Sequence, residues 1–317
     1  MPDKKMVTLS LALNKTINRL SSAKDVILPA AVGDKGLLVR VNLNELNMDC
    51  RNFEDAVTSF YPFMETFSNS ATDPSLQAAA TDHNFLRQAV GSQAYVIRAD
   101  WFVATATLPV PYQRFLNMPN NLLTLENRLG IDANRNIRDN AVIRSGFKRS
   151  NVSTQNRIVE RHVSKSTGLS YWLSYDFAAE DNDQNIFNNP LGPVGVGFDN
   201  RSFAQDGGEV IFQLPNGMLG YFLVDNFGNS IDRGPQTVVR KEDGPRRLQS
   251  HITNGFSCMS CHGRGFLVQD DQIRDFAQTS NIFAPSEKDK ISKIYPDKAT
   301  FRKAIDDDNK PYFASLK

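Results

Sequence analysis

The chain has 317 residues, a formal net charge of +1 at neutral pH, 40% hydrophobic residues and 22% charged ones. That is the composition of a folded globular protein, neither disordered nor membrane-biased, with length for two domains or one large domain with an appendage. A charge near zero argues against nucleic acid as a partner, because phosphate binding needs a clustered basic surface, and the densest basic stretch, 240–247, also holds Glu242 and Asp243 and reads as a solvated loop.

The N-terminus, MPDKKMVTLSLALNKTINRL, places lysines first as a signal peptide does, but Ser10, Asn14 and Lys15 interrupt its apolar run. A signal needs a continuous apolar region of about 7–15 residues. The segment therefore reads as a mature or expressed chain started at Met1, a pattern that a cytoplasmic protein shares. No stretch approaches the roughly 20 apolar residues of a membrane span. Further along, LLVRVNLNEL (37–46) alternates like a half-buried strand, and Asn52 is placed to cap a helix with Phe53, Ala56, Val57 and Phe60 on its apolar face. Residues 68–83 are small and polar and suit a surface loop with a short helix. YVIRADWFVATATL (95–108) is rich in β-branched and aromatic residues and should be buried, as strand or helix, until Pro109 and Pro111 end it. LLTLENRLGI (122–131) has helical spacing, with Gly130 as its stop.

From residue 150 Gly and Asn punctuation becomes dense. EVIFQLPNGMLGYFLVDNFGN (209–229) reads as a β-hairpin or meander: a strand to about Leu214, a Pro-Asn-Gly turn, a second strand through Val224, and another turn at Asn226–Asn229. Residues 234–250 read as a polar linker. Helical patterns follow at Val268–Gln278, Glu287–Tyr295 and Asp297–Ile305. The expectation is an α+β protein in three segments: a mixed N-terminal domain (1–150), a β-rich segment with the hairpin (151–250) and a short helical segment (251–317).

The chemistry concentrates in that last segment. Cys258-Met259-Ser260-Cys261-His262 is C-x-x-C-H, the attachment motif of c-type haem. Two thiols three residues apart reach the two vinyl groups on one porphyrin edge and form thioethers, and the next residue presents its imidazole to the iron. The chain has three cysteines and four histidines, so a chance match is improbable. A zinc site needs four ligands, usually from two such pairs, and there is no second pair. A thioredoxin-like pair would sit where a strand enters a helix of a βαβ unit, whereas here a Gly-containing loop precedes the motif. Cys50, left alone, reads as a buried small thiol. The expected cofactor is one covalent haem c, with Cys258 and Cys261 binding it and His262 as proximal iron ligand.

After His262 the chain contains no methionine or histidine. The sixth iron position must be filled from upstream, by a weaker ligand such as water, Lys or Tyr, or by nothing in this chain. Methionine raises the haem potential, histidine gives a lower one, and an open position binds small molecules or reacts with peroxide. His162, in the polar, strand-like NRIVERHVSK, is the favoured distal candidate, set against a plain surface histidine. His251 lies only seven residues before Cys258 and would need a tight loop. Met218 sits at the hairpin turn, where exposure or packing is the better reading, and His83 has nothing else in its favour.

Other motifs yield less. Tyr171, Trp172, Tyr175 and Phe177 form an aromatic cluster, by default core packing, with contact at the haem edge as the sharper idea. Asp181–Asn185 opens like a calcium loop but has Ile186 and Gly192 where an EF-hand needs Gly and Glu. GPVGVG (192–197) has no helix after it and is no dinucleotide fingerprint. No Ser-His-Asp arrangement is recoverable.

RADWF (98–102), LENRLGID (125–132), NRIVERH (156–162), YWLSYDF (171–177), NIFNNPLGP (185–193), GGEVIFQLPNGMLGYFLVD (207–225) and NGFSCMSCHGRGF (254–266) together resemble a family of bacterial monohaem c-type cytochrome-domain proteins of planctomycetes and proteobacteria. The resemblance covers roughly residues 95–280. It implies an exported protein with haem c at Cys258, Cys261 and His262, and it places a histidine at His162; it brings no substrate. Relatives often continue beyond DDDNKPYF. The expected function is single-electron transfer with a redox partner protein in the periplasm or at the cell surface. A peroxidase-like haem enzyme and a haem-based gas or redox sensor with an open iron are the alternatives.

Overall fold

The computed structural model describes residues 4–33, 37–62, 73–90, 95–150, 152–198, 200–239 and 251–317. It opens with helix α1 (Lys4–Arg19), which exposes Met6, Val7 and Leu11 and buries Leu13, Ile17 and Arg19 in its C-terminal half. A two-stranded ribbon follows, β1 (Ala30–Val32) against β2 (Leu38–Arg40). The half-buried strand expected over 37–46 is thus three exposed residues long, because a ribbon this small offers no face to bury its alternating side chains.

Helix α2 (Cys50–Phe60) starts earlier than Asn52. The Asp49 carboxylate caps it, accepting from the backbone N–H groups of Arg51 and Asn52 at 2.8 and 3.0 Å. Cys50 is therefore the first helical residue, beyond the stretch where Ala56 and Val57 are buried, and it is exposed rather than buried as expected. Helix α3 (Pro74–Val90) extends past the expected short helix, and the first part of that loop lies outside the described residues. Residues 95–108 resolve into helix: α4 (Ala99–Thr105) is followed directly by α5 (Pro109–Phe115). Pro109 stands at the N-terminal turn of α5, where its missing N–H costs nothing. In α6 (Leu122–Leu129) Asn121 caps the start and Gly130, at φ +69°, closes the end; α7 (Ala133–Arg138) follows.

The centre is a five-stranded antiparallel sheet: β3 (Ile143–Lys148), β4 (Asn156–Val163), β5 (Ser170–Asp176) and, after the two-residue parallel pair β6 (Gly192–Pro193) and β7 (Ser202–Phe203), β8 (Gly207–Gln213) and β9 (Leu219–Asp225), in the order β3-β4-β5-β8-β9. The expected hairpin is β8–β9. Register decides the rest, since side chains alternate between faces. The pairs Arg144↔Glu160, His162↔Tyr171, Tyr171↔Phe212 and Phe212↔Gly220 put Glu160, His162, Tyr171 and Tyr175 on one face. The pairs Arg161↔Trp172, Trp172↔Ile211 and Ile211↔Tyr221 put Arg161, Trp172, Glu209 and Tyr221 on the other.

Both faces are covered. α6 and α7 reach the first through Glu126 and Asn136. The second receives the C-terminal segment, α8 (Phe256–Cys261), α9 (Ile273–Thr279), α10 (Pro285–Ile294) and α11 (Lys298–Ala314), through α8 and α11. Asp308 of α11 takes a bidentate ion pair from Arg161 at 2.7 Å and accepts from the Trp172 indole at 2.8 Å. Trp172 packs on Phe266 and Phe301, so the aromatic run of β5 is core, as expected by default. α9 and α10 reach the first face at the β3 edge, where the Gly146 position abuts Ile273 and the Arg144 guanidinium lies over the Tyr295 ring. The fold is α+β with an antiparallel meander-like sheet. One apolar core draws on all three segments read from the sequence, with Leu20 and Phe115, Tyr171 and Phe222, and Ile291 and Tyr312 in the same cluster.

Candidate functional site

Cys258 and Cys261 both lie on α8 and His262 caps its C-terminal end. The entry to α8 is made by Gly255 at φ +71° and by a reciprocal turn, in which Thr253 N–H donates to Ser257 Oγ and Ser257 N–H donates to the Thr253 carbonyl, both at 2.9 Å. One turn of helix sets the two cysteines on a common face. Cys258 is 2% exposed; Cys261 and His262 are half-buried, toward the rim. The Glu209 carboxylate of β8 acts on the Cys258 thiol. Burial first, and the charge of Glu209 second, push this thiol well above its usual range, so it stays protonated in the folded chain.

His262 is oriented by the loop that follows it. Its Nδ1 lies 3.1 Å from the Gly265 carbonyl oxygen, which can only accept, so Nδ1 carries the proton and Nε2 carries the lone pair. Nε2 makes no hydrogen bond among the described residues. This is how proteins hold a metal-ligating imidazole in one tautomer and one orientation. The loop is in turn pinned to α11. Asn309 Oδ1 accepts from Phe266 N–H at 2.7 Å, and Asn309 Nδ2 donates to the Phe266 carbonyl at 3.1 Å. Gly265 has φ +87°, and a Cβ there would stand 2.1 Å from Asn309 Oδ1, so only glycine fits between His262 and the clamp.

Aromatic and cationic groups from distant parts of the chain close around the motif. The Tyr221 ring of β9 lies 6.1 Å from the His262 ring, and its backbone N–H donates to Tyr112 Oη of α5 at 2.8 Å. Tyr312 of α11 donates to the Gly263 carbonyl at 3.0 Å and accepts from Arg19 Nη2 at 2.9 Å. Arg19 is 5% exposed, and no acidic side chain among the described residues pairs with it. Its Nε and the buried Tyr221 hydroxyl have no hydrogen-bond partner among the described residues. Placement in the last turn of α1 gives Arg19 about 0.3–1 kcal/mol from the helix dipole. A buried, unpaired guanidinium costs several kcal/mol. Arg19 is thus a cation left short of an anion.

His162 lies elsewhere. It is fully buried on β4, on the sheet face opposite α8. Its Nε2 donates to Glu160 Oε1 at 2.8 Å, and its Nδ1 lies 3.3 Å from the Asn136 amide nitrogen. Glu160 Oε1 also accepts from Tyr175 Oη at 2.7 Å, and Glu160 Oε2 pairs with Arg144 Nε at 2.5 Å. The structure does not bring His162 to the motif: the sheet separates them and both ring nitrogens are engaged. Strand parity, which local sequence does not reveal, decides this. Met218 is buried at the hairpin turn, a packing position as expected. His251 is half-buried with an unpartnered Nδ1, and His83 falls on α3 with its side chain outside the described residues.

The donor set fits a covalently held porphyrin. Two thiols lie one turn apart, an imidazole follows with its Nε2 lone pair available, and an unpaired buried cation stands nearby. Among the described residues no group of three or more His, Cys, Asp or Glu is arranged to hold a bare metal ion. Tyr112, Tyr221, Tyr312, Asn309, Glu209 and Arg19 were not read as site residues from the sequence. They lie up to about 240 positions from the motif and carry no local signal.

Burial also orders the accessibility of the three thiols. In the folded chain without haem, a maleimide should label Cys50 and Cys261 and spare Cys258, and all three should label in urea, as read by mass spectrometry. A porphyrin is far larger than a maleimide, so one attached at both thiols would have to be joined before α8 closes on the sheet. Labelling of Cys258 at the rate of Cys50 under native conditions would refute this order. No family model, no curated protein and no solved structure matches the chain.

Proposed function

We propose that this chain is a monohaem c-type protein that carries single electrons to or from a redox partner protein in the periplasm or at the cell surface. The observation that supports it is the Cys258–Cys261–His262 constellation with Nδ1 committed to the Gly265 carbonyl. When bound, the haem supplies one-electron redox chemistry at its iron. The chain's own residues do the rest. Cys258 and Cys261 anchor, and His262 offers Nε2. The Gly265–Asn309 clamp keeps the imidazole from turning, and the rings of Tyr112, Tyr221 and Tyr312 keep water away. A dry, rigid surround reorganises little when charge changes by one unit, as electron transfer requires.

A second reading is favoured by one observation: the expected strong distal donor, His162, is fixed on the far face of the sheet. An iron without it has an open position suited to a peroxidase-like enzyme or a gas sensor. Optical spectra of protein matured with the c-type haem machinery, with and without carbon monoxide, separate the two. Sharp low-spin bands indifferent to carbon monoxide are expected for the carrier. A high-spin spectrum that shifts with carbon monoxide would move the enzyme or sensor ahead, and a chain that acquires no covalent haem would overturn both.

A further inference from the structure

The buried polar atoms without partners are informative near the motif. Arg19 Nε and Tyr221 Oη are both inside the protein, both without a hydrogen-bond partner among the described residues, and both close to the segment that carries His262. Tyr312 bridges Arg19 to the carbonyl of Gly263, the residue directly after His262. Lys15, one turn before Arg19 on α1, lies over the same Tyr312 ring, 5.9 Å from its centroid, and it too has no acidic partner among the described residues. Hydrogen bonding among the described residues does not account for this arrangement. Buried charges are normally paired, and an arginine fork matches a carboxylate with two parallel hydrogen bonds.

We propose that Arg19 is the anion-binding residue of this site, and that with the Tyr221 hydroxyl it holds a carboxylate of the prosthetic group attached at Cys258 and Cys261. The inference rests on the haem reading above. It adds that α1, nearly 240 residues from the motif, completes the cofactor site, with Lys15 as a second cation nearer the rim. Porphyrin carboxylates project from the edge opposite the vinyl groups. They therefore need cations that the C-x-x-C-H segment does not itself contain.

The test uses the holoprotein, as wild type, Arg19→Gln and Arg19→Lys. Removing the positive charge favours the oxidised, more positive iron. Arg19→Gln should therefore lower the reduction potential and shift the propionate bending band in the resonance Raman spectrum, whereas Arg19→Lys should hold the potential near that of the wild type. A merely structural arginine would lower stability without moving the potential or the band. Should Arg19→Gln fail to accumulate, Arg19→Lys still decides through the Raman band, since a point charge replaces a two-pronged hydrogen bond and the band must move. A wild-type chain without covalent haem ends the haem reading and this inference together, before Arg19 is changed. A haem-bearing wild type whose Arg19 variants leave potential and band unmoved ends the Arg19 assignment alone.

Discussion

The Cys258→Ala, Cys261→Ala double variant, matured beside the wild type, should release all of its haem into acidified organic solvent, while the wild-type polypeptide keeps its own through a denaturing gel. Two thioethers are what separates an attached porphyrin from a merely bound one. Each single variant should retain haem through one thioether. Its reduced pyridine adduct should absorb at longer wavelength, because the unreacted vinyl group remains conjugated with the ring. The two singles differ in a second respect. Cys258 sits against Glu209 at the sheet, and Cys261 sits nearer the rim. On the haem reading, Cys258→Ala removes the buried one of the two anchors and should lower thermal stability more than Cys261→Ala. Haem that stays with the double variant would refute thioether attachment at this motif.

Arg144→Met should destabilise the protein by about 3–5 kcal/mol, because it leaves Glu160 as an uncompensated buried charge. Both partners are fully buried, and Arg144 Nη1 also donates to the carbonyls of Pro190 and Leu191 at 3.0 and 2.7 Å. Adding Glu160→Gln to Arg144→Met should restore much of the loss by removing the stranded charge, with urea midpoints as the measure. Additive single effects would mean that the pair is not coupled. The same network sets an acid limit. Burial alone would raise the Glu160 carboxyl. The charge of Arg144 outweighs it, helped by hydrogen bonds from His162 and Tyr175, and the group is held at about 2. A carboxyl depressed in the folded state contributes stability that is present above its unfolded value, about 4.3, and is lost as pH falls toward 2. Wild-type stability should therefore decline through that window. In Arg144→Met burial is no longer opposed by the guanidinium, the Glu160 carboxyl rises, and the deficit relative to wild type should narrow as pH falls from 7 toward 4. A deficit that widens on acidification would refute the assignment.

This network also bears on what a buried polar cluster means. Glu160, Tyr175 and Arg144 carry shifted titrations and lie together with a histidine, His162, which is how a catalytic site often announces itself. Here their mutual bonds account for nearly every polar atom except Arg144 Nη2, and the cluster joins β3 and β4 to β5 and to the segment around Pro190. It holds the first face of the sheet in register. The second face is where α8 docks.

The sequence by itself determined what depends on a few neighbouring residues. The C-x-x-C-H spacing raised the haem reading we propose, because thioether and imidazole geometry is satisfied within five consecutive positions. Gly130 at the end of α6 and the Pro-Asn-Gly turn of the β8–β9 hairpin were legible for the same reason: backbone sterics at one or two residues decide them. Locally plausible readings gave way where a partner was missing or a neighbour intervened. Residues 37–46 alternate like a strand without a sheet to join, and Asp49 captures the helix start that Asn52 was expected to cap, which carries Cys50 to the surface. The tertiary structure alone decided which groups share a space. Strand parity in β4 turned His162 away from the motif and toward Glu160. The docking of α1 and α11 beside the motif brought Arg19 to Tyr312 and Tyr312 to Gly263, across 293 and 49 positions of chain. Such contacts depend on how whole elements pack, and no single stretch of sequence records the element that will lie against it.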